Sequence, residues 1–267
     1  MADTVFIRAS SFGALFDCPY RWTAIYREGL KTPTSLPAVL GTAIHKGTAL
    51  FDSEKLAGQI PNLSAAMDAA RDHFKSPGEE VAYAEDDKPD QATDIAVSLT
   101  EKYATEFAPT VEYAAVELKI DGLEIKDLGI TLTGTTDRVR KTEEGLGIAD
   151  LKSGKTAVEI ATGKAKTAGH ALQLGVYELI ATAGMGIPME AAAQVIGLQT
   201  NVTRDKQRIG TGEVWRPREI LTGDEQNEGV LVTAAKFAKG EVVYGNPKSN
   251  LCHVRFCPRF STCWFRR

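Results

Sequence analysis

The residues best suited to chemistry lie in 134–155, GTTDRVRKTEEGLGIADLKSGK. Asp137 closes one β-like run, and the triplet Asp150-Leu151-Lys152 closes the next. If Asp150 and Lys152 share a strand, its period of two puts both on one face, while apolar Leu151 turns into the core. With Asp137 at the end of the neighbouring strand, that face presents two carboxylates and an ammonium. Carboxylate pairs suit a hard divalent cation such as Mg²⁺. An adjacent lysine suits the negative charge that develops when a phosphodiester is attacked. The triplet alone also has a plainer reading, since Asp-x-Lys on an exposed strand is usually a pair of solvated charges.

Other residues bear on the choice. GTAIHKG places His45 at an expected helix start, where an imidazole either completes a metal sphere or is simply structural. QLGVY spaces Gln173 and Tyr177 by four, on one helical face; the pair is either a substrate contact or the polar edge of an amphipathic helix. The only cysteines are Cys18, Cys252, Cys257 and Cys263, three of them crowded into CHVRFCPRFSTC. Disulfides are rare in cytosolic proteins, and such crowding is poor scatter for core thiols. A thiolate site is the better account. Four thiolates suit Zn²⁺ or an iron–sulfur cluster, and zinc modules more often carry two CxxC pairs, which this chain lacks.

The elements that must position these residues follow from periodicity. Ser10 and Ser11 read as the cap of a helix carrying Leu15, Phe16, Trp22 and Ile25. Pro33 and Pro37 mark a loop before helical spacing resumes through His45. Helical spacing recurs over 63–75 and 91–107, around a polar, acidic loop. From Pro109 the pattern becomes β-rich: TVEYAAVELKI, GITLTGTTDRVR and GLGIADLK, separated by glycine-containing turns. An amphipathic helix over 167–184, a strand in AAQVIGLQTN and a helix over roughly 223–239 precede the cysteine tail. The order predicts an α/β fold with a mixed sheet rather than a doubly wound βαβ repeat.

At 267 residues the chain is one generous domain, or a core domain with substantial helical additions, with apolar (43 %) and charged (25 %) fractions ordinary for a globular protein. No apolar run reaches the ~18 residues of a membrane span, and no signal pattern opens the chain. A cytoplasmic location is expected, with no membrane partner. The net charge of −4 does not advertise nucleic acid. Basic residues are nonetheless concentrated in 248–267, which holds five (Lys248, Arg255, Arg259, Arg266, Arg267) and no acid.

The ordered set GTAIH (His45), GTTDRV (Asp137), ADLKSGK (Asp150, Lys152) and QLGVY (Gln173, Tyr177) resembles the RecB-like branch of the PD-(D/E)xK nuclease superfamily. The opening SFGALFDCPYRW is similar to that branch's N-terminal helix, so the likeness runs from about Ser10 to Cys263. It implies a restriction-endonuclease-like core, a mixed central β-sheet flanked by helices. An N-terminal helical part (1–108, with Cys18 and His45), a nuclease core (109–240) and a cysteine-cluster tail (241–267) then make up one nuclease domain. His45, Asp137, Asp150 and the Leu151 carbonyl are implied metal ligands for Mg²⁺ or Mn²⁺. Lys152 is the implied charge-stabilising residue, with Gln173 and Tyr177 handling substrate and supporting the site. Glu117 stands as an outer-shell candidate.

A remote cysteine joined to a C-terminal trio resembles the iron–sulfur members, the AddB-type and CRISPR-associated exonucleases with their phage homologues. The implied cofactor is a structural [4Fe–4S] cluster, Zn²⁺ being the less favoured occupant. Four residues separate Cys252 from Cys257 where that family usually has two, and His253 in that gap is a competing ligand. The implied activity is a DNA exonuclease acting on ends or single strands, leaving 3′-hydroxyl and 5′-phosphate. Its implied setting is phage or host recombination, repair or CRISPR adaptation. A helicase or recombination partner and a homo-oligomer stay open.

Two rival readings are an inactive DNA-end-binding subunit and a zinc-stapled structural protein. ATP-driven unwinding is set aside, because SGKT at 153–156 has Ala149 where a phosphate loop needs glycine.

Overall fold

The computed structural model describes residues 4–266. The chain opens with strand β1 (Val5–Arg8), then helices α1 (Phe12–Asp17) and α2 (Pro19–Tyr26). A short strand β2 (Thr34–Ser35) leads into the long helix α3 (Leu36–Leu56), followed by α4 (Leu63–Lys75), strand β3 (Val81–Ala82) and α5 (Pro89–Lys102). Three long strands come next: β4 (Tyr113–Ile125), β5 (Ile130–Thr142) and β6 (Gly145–Gly154). Helix α6 (Ala171–Met185), strands β7 (Ala193–Gln199) and β8 (Arg208–Val214), and helices α7 (Pro217–Thr222) and α8 (Leu231–Lys239) complete the regular structure.

Six strands form one mixed sheet, with β1–β5 and β6–β7 parallel and the other pairs antiparallel. A strand has two edges, and β5 uses them unequally. Strand β4 runs along one edge from 130 to 140. The other edge is shared, with β1 on 130–133 and β6 on 138–142. The sheet therefore forks beside residues 134–137, where β5 has left β1 and not yet joined β6.

Each face buries its own core. Val139, Ile148 and Val195 pack with Val176, Tyr177 and Ile180 of α6 and with α1 and α8. Ala149, Leu151, Ile196 and Leu198 pack against Ala43 and Ile44 of α3, Ala70 of α4 and Leu99 of α5. The alternation of Ile148, Ala149 and Leu151 between these cores is the period-two signature of a strand covered on both sides. Gly47 lets α3 come close to its neighbours: a Cβ there would lie 2.7 Å from Thr100 and 2.8 Å from the Ala66 carbonyl.

The α/β architecture with helices flanking a mixed sheet is as expected; several elements differ. Strands β1 and β8 were not anticipated. Asp137 and Asp150 do not end their strands, which continue to Thr142 and Gly154. His45 sits in the third turn of α3, not at a helix start. Pro37 occupies the first turn, where its missing N–H costs nothing, so it begins the helix rather than marking a loop. The 91–107 segment leaves α-geometry at Tyr103, where a π-helical turn runs to Phe107. Helix α6 starts at Ala171, after Gly169 at φ 85°. The expected final helix over 223–239 starts late: a separate helix α7 ends at Thr222, before Gly223 (φ 79°), and α8 begins only at Leu231.

Candidate metal centre and cysteine corner

The fork brings the motif residues together. Asp137 lies where the next β5–β6 pairing would fall, and its side chain takes over that role: Leu151 N–H donates to Asp137 Oδ2 at 2.7 Å. Asp150 and Lys152 follow on the same face, that of α6, and Lys152 Nζ lies 2.5 Å from Asp150 Oδ2. This buried oxygen has no hydrogen bond of normal geometry. From α6, Gln173 Nε2 donates to Asp150 Oδ1 (3.4 Å) and to the Tyr177 hydroxyl (3.0 Å). The Tyr177 ring rests near Gly134, where a Cβ would meet it at 3.1 Å. His45 arrives from the opposite layer, its Nδ1 3.4 Å from Asp137 Oδ1. Leu151 is fully buried on the α3 side.

Electrostatically the two acids are driven apart. Burial opposes ionisation of Asp137, but His45 above all, with Lys152 and Arg138, brings it down to about 2. Burial and then repulsion from Asp137 push Asp150 up to about 6, against the pull of Lys152. Burial alone would lower His45, yet Asp137 turns the net shift upward. Tyr177 is raised by burial and by both carboxylates.

A cleft of about 470 Å³ opens in front of His45 and Asp137, lined also by Gly41, Thr42, Lys46, Ala49 and Glu117. Glu117 has φ +49°, a left-handed conformation rare for a non-glycine residue, on β4 between Val116, paired with Arg138, and Leu118, paired with Thr136. Burial and the Asp137 charge raise its carboxyl.

The cysteines also converge. Cys18 sits in extended backbone (φ −153°, ψ 90°) between α1 and α2, with Pro19 opening the second helix. All four cysteines line one small cavity, with Arg21 and Arg266 among the lining residues. The cysteine tail is tied to the N-terminus by Asn246 N–H donating to Cys18 Sγ (3.4 Å), Ser249 Oγ to Asp17 (2.6 Å) and Arg21 Nε to the Phe256 carbonyl (2.8 Å). Burial pushes the Cys257 thiol up. His253 is not among the lining residues, and its Nδ1 accepts from Arg255 N–H at 3.2 Å.

Among the described residues, no group of three or more His, Cys, Asp or Glu side chains is gathered in metal-holding geometry. The donor chemistry nevertheless fits both groups. At the fork, two buried carboxylates and an oxygen without a formed hydrogen bond suit a hard cation; at the corner, four thiols facing one cavity suit thiolate ligation. Residues that motif reading passed over are Arg138, in contact with the Asp137 backbone, and its partner Asp52.

Buried acids and a lysine at the fork of a mixed sheet have the chemistry of a metal-assisted hydrolase. A family model described as the PD-(D/E)XK nuclease superfamily matches residues 9–264, and the chain belongs to that superfamily. Membership implies a metal-dependent nuclease, which would bind DNA. No curated protein matches the chain. No described helix is long and apolar enough to cross a membrane.

Proposed function

We propose that this nuclease is a Mg²⁺- or Mn²⁺-dependent DNA exonuclease working from ends or single strands, and that the whole chain forms one nuclease unit. The observation that carries the site assignment is the pair of buried acids with its incompletely satisfied Asp150 oxygen, next to Lys152 and within reach of His45. His45, Asp137, Asp150 and the Leu151 carbonyl are the assigned metal ligands. When bound, the ion supplies Lewis acidity toward a phosphoryl oxygen and lowers the pKa of water.

The chain's own residues do the rest. Asp137, held by the Leu151 N–H, keeps its carboxylate ionised and fixed. Gln173 orients Asp150 through one oxygen and Tyr177 through its hydroxyl. The Lys152 ammonium stands beside Asp150 to stabilise charge developing on phosphate. The cleft walled by Thr42, Lys46 and Glu117 offers room for the substrate strand.

We assign the cysteine corner to a structural [4Fe–4S] cluster rather than Zn²⁺. Cys18 and the tail cysteines are far apart in sequence yet line one cavity, and nearby Arg21 and Arg266 suit an anionic cluster. Its part is to tie the chain ends together, not to react.

The test is digestion of end-labelled linear DNA with Mn²⁺ or Mg²⁺ by anaerobically purified protein, beside Lys152→Ala. Stepwise loss from the labelled end, abolished in the variant, is expected. Internal nicking of circular DNA without end dependence would refute the exonuclease reading. A folded wild type that cleaves nothing favours the end-binding subunit. Iron and sulfide in the purified protein, lost with unfolding on chelation, are expected; zinc in their place rejects the cluster.

A further inference from the structure

Arg138 follows Asp137 on β5 and so projects from the opposite face of the sheet, toward α3. Its side chain is 1 % exposed and that of its partner Asp52 is wholly buried. The guanidinium divides its donors among three elements. On α3, Nε donates to Asp52 Oδ2 at 2.7 Å and Nη2 to Thr48 Oγ1 at 3.3 Å. On β5, Nη1 donates to the Asp137 carbonyl at 2.7 Å. On β4, the same nitrogen lies 3.5 Å from the Glu117 carboxylate. Tyr103, in the π-helical turn after α5, donates to Asp52 Oδ2 at 2.7 Å and is hydrogen-bonded to Tyr113 of β4 at 2.9 Å.

His45, Thr48 and Asp52 are three and four residues apart, so one face of α3 carries all three. Arg138 grips the last two, while the first meets Asp137. We propose that Arg138 and Asp52 are positioning residues for the metal centre. The planar guanidinium sets the depth and rotation of α3 against β5, and with them the placement of His45 relative to Asp137. A lysine could replace the charge but not the fixed fork of donors. The inference rests on the nuclease reading of the fork.

A purely structural pair and a positioning pair differ in what happens to metal affinity when the fold survives. Arg138→Lys keeps the charge and loses the fork. The double variant Asp52→Leu/Arg138→Met replaces the pair with apolar volume, an exchange that buried ion pairs often tolerate. Each is titrated with Mn²⁺ alone, free Mn²⁺ being read by its electron paramagnetic resonance signal. Thermal melts and the Mn²⁺ dependence of DNA cleavage are recorded alongside.

The expected result is a Mn²⁺ affinity lowered by roughly 10–100-fold in both variants. The double variant should still melt near the wild type, and its cleavage should recover in part at higher Mn²⁺. Wild-type affinity in the folded double variant overturns the positioning role. If Arg138→Lys does not fold, the double variant carries the test. Asp150→Asn separates the two ideas: if wild type takes up no Mn²⁺, or that variant takes up as much, the reading of the fork fails and the inference falls with it. If Asp150→Asn loses Mn²⁺ while the double variant does not, only the positioning role is lost.

Discussion

Asp137 and Arg138 are neighbours on β5, yet they belong to charge clusters of opposite character. On the α3 face, buried Asp52 meets the Arg138 guanidinium and the Tyr103 phenol, the half-exposed Glu117 lies 3.5 Å from the same guanidinium, and Asp52 Oδ1 lacks a partner. On the α6 face, two buried carboxylates share one lysine with a histidine at the margin. One of them is held near pKa 2 and the other is pushed up to about 6. The first cluster is close to electrostatic balance without any added group. The second, once His45 is neutral as a metal ligand must be, is short of positive charge, the condition a divalent cation relieves. A buried charge network is therefore not evidence of a reactive site; one left short of counter-charge beside an open cleft is.

The two clusters differ most at Lys152. If the ammonium stabilises charge on the phosphate, Lys152→Ala lowers the cleavage rate by about 10²–10³-fold, the usual loss for one such group. Asp150→Asn should be as damaging to cleavage, but the metal-free variant should melt no lower than wild type, because one of two repelling charges is gone. Rate assays and metal-free melts check both. An Asp150→Asn variant that unfolds readily would mean the α6-face cluster is as structural as its neighbour.

Opposite behaviour is expected across the strand. Asp52→Asn removes the carboxylate that matches a fully buried guanidinium, and breaking such a pair costs about 3–5 kcal/mol. Urea unfolding monitored by circular dichroism measures it. A loss below ~1 kcal/mol would place the pair with exposed ion pairs and erase the contrast.

The site is most legible in the sequence where chemistry and period coincide. Asp150, Leu151 and Lys152 announce their faces because an apolar residue separates two charged ones, and the structure puts Leu151 in one core and the charges on the other face. Gln173 and Tyr177 were legible for the same reason, as a helical pair, and they are hydrogen-bonded. Strand β1 escaped because VFIR is four residues with no flanking turn signal, and β8 because RIGTGEV is interrupted by two glycines. The Arg138–Asp52 pair joins residues 86 apart. Nothing local marks it: Arg138 reads as one more basic residue after a motif, and Asp52 as a polar position near the end of a helix. The fork was equally hidden, since it follows from two strands sharing one edge of a third.

Glu178 gives the mildest test, because it is a buried carboxylate with neither a partner cation nor a second acid in contact. It sits on α6 beside Tyr177, 2 % exposed, and among the described residues accepts only the Arg218 N–H, at 3.2 Å. Burial pushes its carboxyl from 4.5 up to about 7, against the pull of the Arg218 backbone and charge and with slight help from Glu219. The folded protein therefore keeps a proton that the unfolded chain has lost between these values, so stability falls as pH rises through that window. Above it the accumulated loss is roughly 3 kcal/mol. Gln mimics the protonated form and retains an acceptor for the Arg218 N–H, so Glu178→Gln should remove the slope. Melts should coincide with wild type at about pH 4, and the variant should be the more stable by up to that amount at about pH 8. A difference between the two that does not change with pH would mean Glu178 is satisfied as an anion. Simple burial of an acid would then not account for its environment, and the rise at Asp150 would rest on its repulsion by Asp137 rather than on burial.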